Sequence, residues 1–254
     1  MKTSLFTLFM LVFAVRAYSM NVLITHFDPF NNVPVNYSKV MAYEVQKYLS
    51  SNATELKVTI CELRTIYDKA YDEIQDCIAS MSESPDMIIS LGEGSYGKIQ
   101  METRSINNDK SFNYPDNEGE HRNNTAIYPG EAKSIGVTLP VEKGYCALSS
   151  DLKKWAFISK SAGSFVCNNT MYHTIRNFNI PTTFFHVPTV KYMKGEEHKR
   201  KLTEILSTMI IAFSQNLSTP TVQPANKSEV KSLLRSGNLS QCEKSFYRIL
   251  KNEY

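Results

Sequence analysis

The sequence predicts a three-layer α/β fold, with an open, mostly parallel twisted sheet and helices on both faces. Two observations carry this expectation. Short apolar runs that read as buried strands alternate with longer amphipathic stretches from residue 20 onward. The chain has 254 residues, 42% hydrophobic and 21% charged, which supplies enough apolar surface for one such core.

The elements follow in order. Asn21 to Phe27 is a continuous apolar run closed by Asp28-Pro29, as expected of a strand covered on both faces. Ser38 to Leu49 carries Val40, Met41, Tyr43, Val45 and Tyr48 at helical spacing, and Asn36 or Ser38 supplies an N-cap. Leu56 to Cys61 alternates like a strand. Tyr67 to Met81 places Ala70, Tyr71, Ile74, Ile78 and Met81 on one helical stripe, stopped by Ser84-Pro85. Asp86 to Gly92 is a third strand. Residues 98–107 read as extended, and 108–135 as a polar loop rich in Asn, Asp and Gly. A short helix over Cys167–Phe178, a strand over Pro181–Pro188 and a long helix over Glu196–Leu217 complete the pattern.

The ends of the chain differ from its middle. Lys2, the apolar run Leu5 to Val15 and the small residues around Ala17 and Ser19 describe a secretory signal peptide over 1–19. The run is too short to span a bilayer comfortably, since a membrane helix needs ~20 apolar residues. The expected organisation is therefore an exported protein, periplasmic or secreted, whose mature chain makes no stable membrane insertion. Its domain covers 20–217, and a polar tail with one or two weak helices covers 218–254. Homo-oligomerisation is compatible with this reading.

Charge and motifs narrow the chemistry. With 28 basic and 25 acidic side chains the net charge is +3, without a basic tract that would suit nucleic acid. Gly92-Glu93-Gly94-Ser95-Tyr96-Gly97 leads into an extended segment, whereas a phosphate cradle needs a helix behind the loop. His198 beside Glu196 and Glu197 lacks zinc-helix spacing, and no cysteine pair has metal-ligand spacing, so neither a metal nor a cofactor is expected. Asn-x-Ser/Thr sites such as Asn36, Asn168 and Asn238 are most simply a consequence of Asn-rich composition. Five cysteines leave at least one unpaired in a monomer, and spacing does not choose among pairings.

One junction stands out. Ser161-Ala162-Gly163-Ser164-Phe165-Val166-Cys167-Asn168 places a cysteine where small residues give way to a helix start. The helix dipole and free amides there favour a thiolate and supply oxyanion donors. His186 closes an apolar strand, and strand ends of such sheets are where ligands bind. A Cys–His pair of this kind can activate a nucleophile for acyl transfer. On local pattern alone, however, a buried cysteine and a satisfied histidine remain the favoured reading.

Four motifs in order shift that balance. Val22-Leu23-Ile24-Thr25-His26-Phe27-Asp28-Pro29-Phe30-Asn31-Asn32 with Asn36-Tyr37-Ser38 resembles V-L-V-T-G-F-x-P-F-G-G … N-P-S of the pyroglutamyl-peptidase I (pyrrolidone-carboxylate peptidase) family of cysteine peptidases. Glu102-Thr103-Arg104-Ser105-Ile106-Asn107 with Pro115-Asp116-Asn117-Glu118-Gly119 resembles its E-R-x-A-x-N … P-D-N-x-G. The Cys167 segment resembles S-x-A-G-x-Y-x-C-N, and Phe185-His186-Val187-Pro188 resembles F-x-H-x-P. The resemblance spans about 20–217.

Carried over position by position, it implies removal of N-terminal pyroglutamate from a peptide substrate through an acyl-enzyme. Cys167 would be the nucleophile, His186 the acid and base, and Glu102 the residue orienting the imidazole. Phe27, Phe30, Phe165 and Val166 would line the pocket for the neutral lactam ring. Cys167 is then the cysteine expected to stay free, with Cys61, Cys77, Cys146 and Cys242 available to pair.

The chain also departs from the family pattern. His26 replaces a glycine, Asn31-Asn32 replace Gly-Gly, and Gly94-Ser95-Tyr96 stands where the family has G-G-R, so the arginine is missing. Lys98 or Arg104 could substitute for it. These changes keep open two alternatives, an exported non-catalytic binding protein using the same pocket and an amidase with a different acyl substrate.

Overall fold

A computed structural model describes residues 19–217 and 222–253. The expected signal peptide and the expected boundary at residue 218 fall largely or wholly outside the described residues. The elements in order are β1 (Met20–Phe27), α1 (Tyr37–Asn52), β2 (Leu56–Leu63), α2 (Lys69–Ser80), β3 (Met87–Gly94), β4 (Ile99–Glu102), β5 (Arg104–Ile106), β6 (Asp109–Lys110), β7 (Asn123–Thr125), β8 (Ser134–Gly136), α3 (Val141–Ala147), β9 (Ala156–Ser159), α4 (Val166–Asn177), β10 (Thr182–Pro188), α5 (Glu196–Ser214), α6 (Lys227–Arg235) and α7 (Gln241–Glu253).

The central sheet has the order β2-β1-β3-β10-β4-β9. β2, β1, β3 and β10 run parallel, β4 pairs antiparallel with β10, and β9 runs parallel to β4. β10 is buried at every position and β1 at all but its first, because helices cover both faces. α1 packs with α5, α5 with α3 and α3 with α7, while α2 packs with α4. The three-layer α/β architecture read from the strand–helix alternation is the observed one.

Local chemistry explains the boundaries. Asn36 caps α1 by accepting from the Ser38 amide at 3.1 Å, and its own amide donates to the Asp28 carbonyl at 2.9 Å. Ser38 in turn accepts from the Phe27 amide, which ties the end of β1 to the start of α1. Neither α3 nor β9 has a clear local signal in the sequence. α3 has seven residues with Gly144 inside it, a poor local helix signal. The glycine is there because a Cβ would lie 2.6 Å from the Phe213 ring and 2.9 Å from Met209, both on α5.

The last segment is built into the same core. Phe246, Tyr247 and Leu250 of α7 are buried with the sheet residues, and the Cys146–Cys242 disulfide joins α3 to the start of α7. Gln223 pairs its backbone with Val137, and its carboxamide donates to Glu142 at 2.5 Å. A second disulfide links Cys61 on β2 to Cys77 on α2, and Cys167 is free. No helix among the described residues is long and apolar enough to cross a membrane.

Candidate active site

The carboxyl ends of β3 and β10 lie side by side, with His186 in register with Gly92 on one neighbour and with Gln100 on the other. His186 is 8% exposed, and its Nδ1 lies 2.8 Å from Oε1 of Glu102, which is fully buried on β4. Its side chain also hydrogen-bonds Cys167. Burial pulls the imidazole pKa down from 6.5, but the thiol and the carboxylate together outweigh it and hold the pKa at about 10. The imidazolium is therefore the resting form at neutral pH, the condition that a thiolate partner needs.

Cys167 is the second residue of α4 and is half-buried. Phe165 takes the N-cap position without a side-chain cap bond, so the first amides of the helix point into the site without an intrahelical acceptor. Such amides are donors that can receive a developing oxyanion. Gly92 makes room for the sulfur: a Cβ there would lie 2.9 Å from Cys167 Sγ and 2.9 Å from the Phe184 ring.

Next to this centre, Phe30, Phe112, Asn113, Tyr114 and Phe165 line a cavity of about 280 Å³. Phe30 meets Phe165 at 5.2 Å between ring centroids and Tyr114 edge-on at 6.3 Å. Phe27 and Val166, expected as pocket walls, are not among the residues lining this cavity. Phe27 is 1% exposed with its ring 6.4 Å from Phe184, and Val166 is fully buried. A larger cavity of about 520 Å³ lies between α1 and α5, among charged side chains such as Glu44, Lys47 and Arg200, and contains none of these residues. The Glu102–His186–Cys167 cluster, not the larger cavity, is the candidate active site.

The family model described as pyroglutamyl peptidase matches residues 20–213, the stretch that builds the sheet and every residue just described. The chain belongs to the pyroglutamyl peptidase family. A pyrrolidone-carboxylate peptidase from Thermosipho africanus is 31% identical over 175 residues, covering 66% of this chain and 82% of the relative. One from Clostridium perfringens is 30% identical over 221 residues, covering 84% and 98%. Pyroglutamyl peptidase I from Bacillus amyloliquefaciens shares the fold with a TM-score of 0.66 at 23% identity, over 78% of this chain and 98% of that one.

The departures from the pyroglutamyl peptidase pattern now have locations. Asn31 and Asn32, which replace two glycines, both adopt left-handed backbone with φ of 54° and 60°. Asn is the non-glycine residue that tolerates this region best, so the turn beside Phe30 keeps a glycine-like path. His26 is buried on β1 beside Tyr43 and Glu62, and burial lowers its pKa. Tyr96 is 59% exposed with its ring edge-on to Phe157. The suggested substitutes for the missing arginine have locations as well. Lys98 is exposed, and Arg104 donates to the carbonyls of Lys160 and Ala225, on the side of the C-terminal segment.

The Asn168 sequon is closed by packing. Its fully buried side chain accepts from Ser105 and the Ile106 amide and donates to the carbonyls of Ile106 and Asn108. A glycan has no room there, and the same bonds fix the first turn of α4 to β5, just past Glu102.

Sequence reasoning missed a polar network under the site. Arg122 binds Asp109 at 2.7 Å and Asp68 at 2.7 Å, and its guanidinium lies 4.4 Å over the Tyr67 ring. Asn169, two residues after Cys167, donates to both carboxylates at 2.9 Å. His173 and Arg122 hold the Asp68 carboxyl far below its usual range, whereas burial pushes Asp109 up to about 6. Tyr67 meets Phe165 edge-on at 5.4 Å, so the network braces both the aromatic wall and α4. The residues are scattered over a polar loop, a helix start and α4, and only the weak hint of an arginine in an Asn/Asp-rich loop was available beforehand.

Asp116 and Asn117 have a related role. Asp116 accepts from the amides of Tyr67, Glu118 and Glu120, and Asn117 donates to Asp28 and to the Pro29 carbonyl. The Pro-Asp-Asn motif thus clips the loop that carries Phe30.

Proposed function

We propose that the chain is a cysteine-type exopeptidase that releases N-terminal pyroglutamate from peptides by a Cys167–His186–Glu102 triad. The observation that carries this reading is the imidazole held between a buried carboxylate and a thiol at a helix start, beside an aromatic cavity. Family membership supports the substrate class, because the curated relatives are pyrrolidone-carboxylate peptidases.

In this mechanism the lactam ring packs against Phe30 and Phe165, and the Cys167 thiolate attacks the exocyclic carbonyl carbon. The C=O electron pair moves onto oxygen, where the amides at the start of α4 receive it. As the C–N bond breaks, the His186 imidazolium gives its proton to the departing amine and a thioester remains. Water then attacks the thioester. His186 takes a proton from it, the C–S bond breaks and the sulfur leaves as thiolate, which frees pyroglutamate and restores the thiolate–imidazolium pair. Glu102 keeps Nδ1 protonated, so that Nε2 faces the thiol throughout.

An exported setting is part of the proposal. The signal-like segment at residues 1–19 and the two disulfides both suit an oxidising compartment. The test is release of a chromogenic amine from a pyroglutamyl amide, measured with and without a mild thiol reductant. Activity in the reduced wild type and none in Cys167→Ser is expected. An inactive reduced wild type, or undiminished activity in the variant, overturns the proposal.

A further inference from the structure

We propose that Gln100 is a further substrate-binding residue, whose carboxamide hydrogen-bonds the peptide backbone on the leaving-group side of the scissile bond. The inference rests on reading the Cys167 centre as a pyroglutamyl peptidase site and adds the second half of its substrate contacts.

Gln100 lies on β4 directly opposite His186 in the antiparallel register, two residues before Glu102, so its side chain and that of Glu102 share one face of the strand. It is 8% exposed, so its carboxamide sits at the edge of the buried strand end.

Two glycines show where the group points. A Cβ on Gly94 would collide with Gln100 Nε2 and lie 2.8 Å from His186 Cβ. A Cβ on Gly92 would lie 2.9 Å from Cys167 Sγ. Gly92 and Gly94 are two residues apart on one strand and so face the same way. The Gln100 amide, the imidazole and the sulfur therefore share one face at the carboxyl ends of β3 and β10.

The direction of the substrate follows. Phe165 and Phe30 receive the lactam on the α4 side of the sulfur. The departing nitrogen must pass within reach of His186, which puts the rest of the peptide on the β4 side, at Gln100. A carboxamide offers both a donor and an acceptor, and so pairs with a peptide unit at its N–H and C=O. With Tyr96 turned outward onto Phe157, this neutral group is the polar contact nearest Gly94.

The test compares wild type, Gln100→Met and Gln100→Ser on two substrates, a pyroglutamyl arylamide and the tripeptide pyroglutamyl-alanyl-alanine. Only the peptide carries a backbone unit beyond the scissile bond. For both variants kcat/KM on the tripeptide should fall about tenfold further than on the arylamide, with the difference in KM. Alkylation of Cys167 by iodoacetamide reports that the site is intact. Equal losses on both substrates, or no loss on either, overturn the role of Gln100 while leaving an active wild type as an exopeptidase. An inactive wild type overturns the underlying reading, and the proposal with it.

Discussion

Glu102 and His186 are diagonal neighbours on two antiparallel strands, joined at 2.8 Å through one carboxylate oxygen, while the other oxygen, Oε2, is buried without a partner among the described residues. A carboxylate held this way favours a charged imidazole, because the opposite charge lies within hydrogen-bond distance. The charged form of His186 is accordingly favoured up to a pKa of about 10, although burial alone would lower it.

Replacing Glu102 by Gln removes that charge and keeps the shape. The expected loss in kcat is about 10²–10⁴-fold, the range for removing the orienting or proton-transferring member of such a set. The wild-type kcat/KM should decline as pH rises towards 10, where His186 gives up its proton, and in Glu102→Gln this limb should move to lower pH. The stability linkage has the same sign. A folded-state pKa above the ordinary 6.5 contributes stability fully present below pH 6.5 and lost as pH rises through about 10. A pH–rate profile of both proteins checks the first point, and urea midpoints across pH 6–10 check the second.

Gly92→Ala is expected to impair catalysis more than folding. The new methyl would lie 2.9 Å from both Cys167 Sγ and the Phe184 ring, so the sulfur must shift. A misplacement of ~1 Å in a reacting group costs on the order of 10²-fold in rate. Amide turnover together with a melting curve tests this: a Tm change of a few degrees with full activity would refute it.

Arg122→Met should destabilise the protein by about 3–5 kcal/mol at pH 8, because Asp109 is fully buried and loses its cationic partner. The penalty should shrink at pH 5. Burial already lifts the Asp109 carboxyl to about 6, so at the lower pH it is protonated and no unpaired charge remains. Urea unfolding of wild type and variant at the two pH values measures the difference.

Cys242→Ser should lower stability by about 3–5 kcal/mol, since the lost bridge to Cys146 closes a separation of 96 residues. Limited proteolysis is expected to remove the segment from residue 222 onward faster in the variant than in the wild type. Equal cleavage rates would show that burial of Phe246, Tyr247 and Leu250 suffices to hold it.

Much of this protein is legible one residue at a time. The strands from Asn21 to Phe27 and from Asp86 to Gly92 read directly because a strand covered on both faces must be apolar throughout. The long amphipathic stretches read as α1, α2 and α5 for the same local reason. α3 escaped because Gly144 weakens its helical signal and is required only by the α5 side chains opposite it. Cys167 stood out at a helix start, but its position alone could not separate a nucleophile from an inert thiol.

What the sequence determined by itself is the α/β class, the elements that make the central parallel strands, and the four motifs that place the chain in its family. These depend on local periodicity and on residues close along the chain. Only the tertiary structure decided that Cys61 pairs with Cys77 and Cys146 with Cys242, and that Asn168 is sealed against β5. It also decided that Phe27 packs against Phe184, and that Asp68, Asp109 and Arg122 meet beside Asn169 of α4. Each of these is a contact between segments far apart in sequence, set by how the strands pair and the helices pack, and no local pattern encodes it.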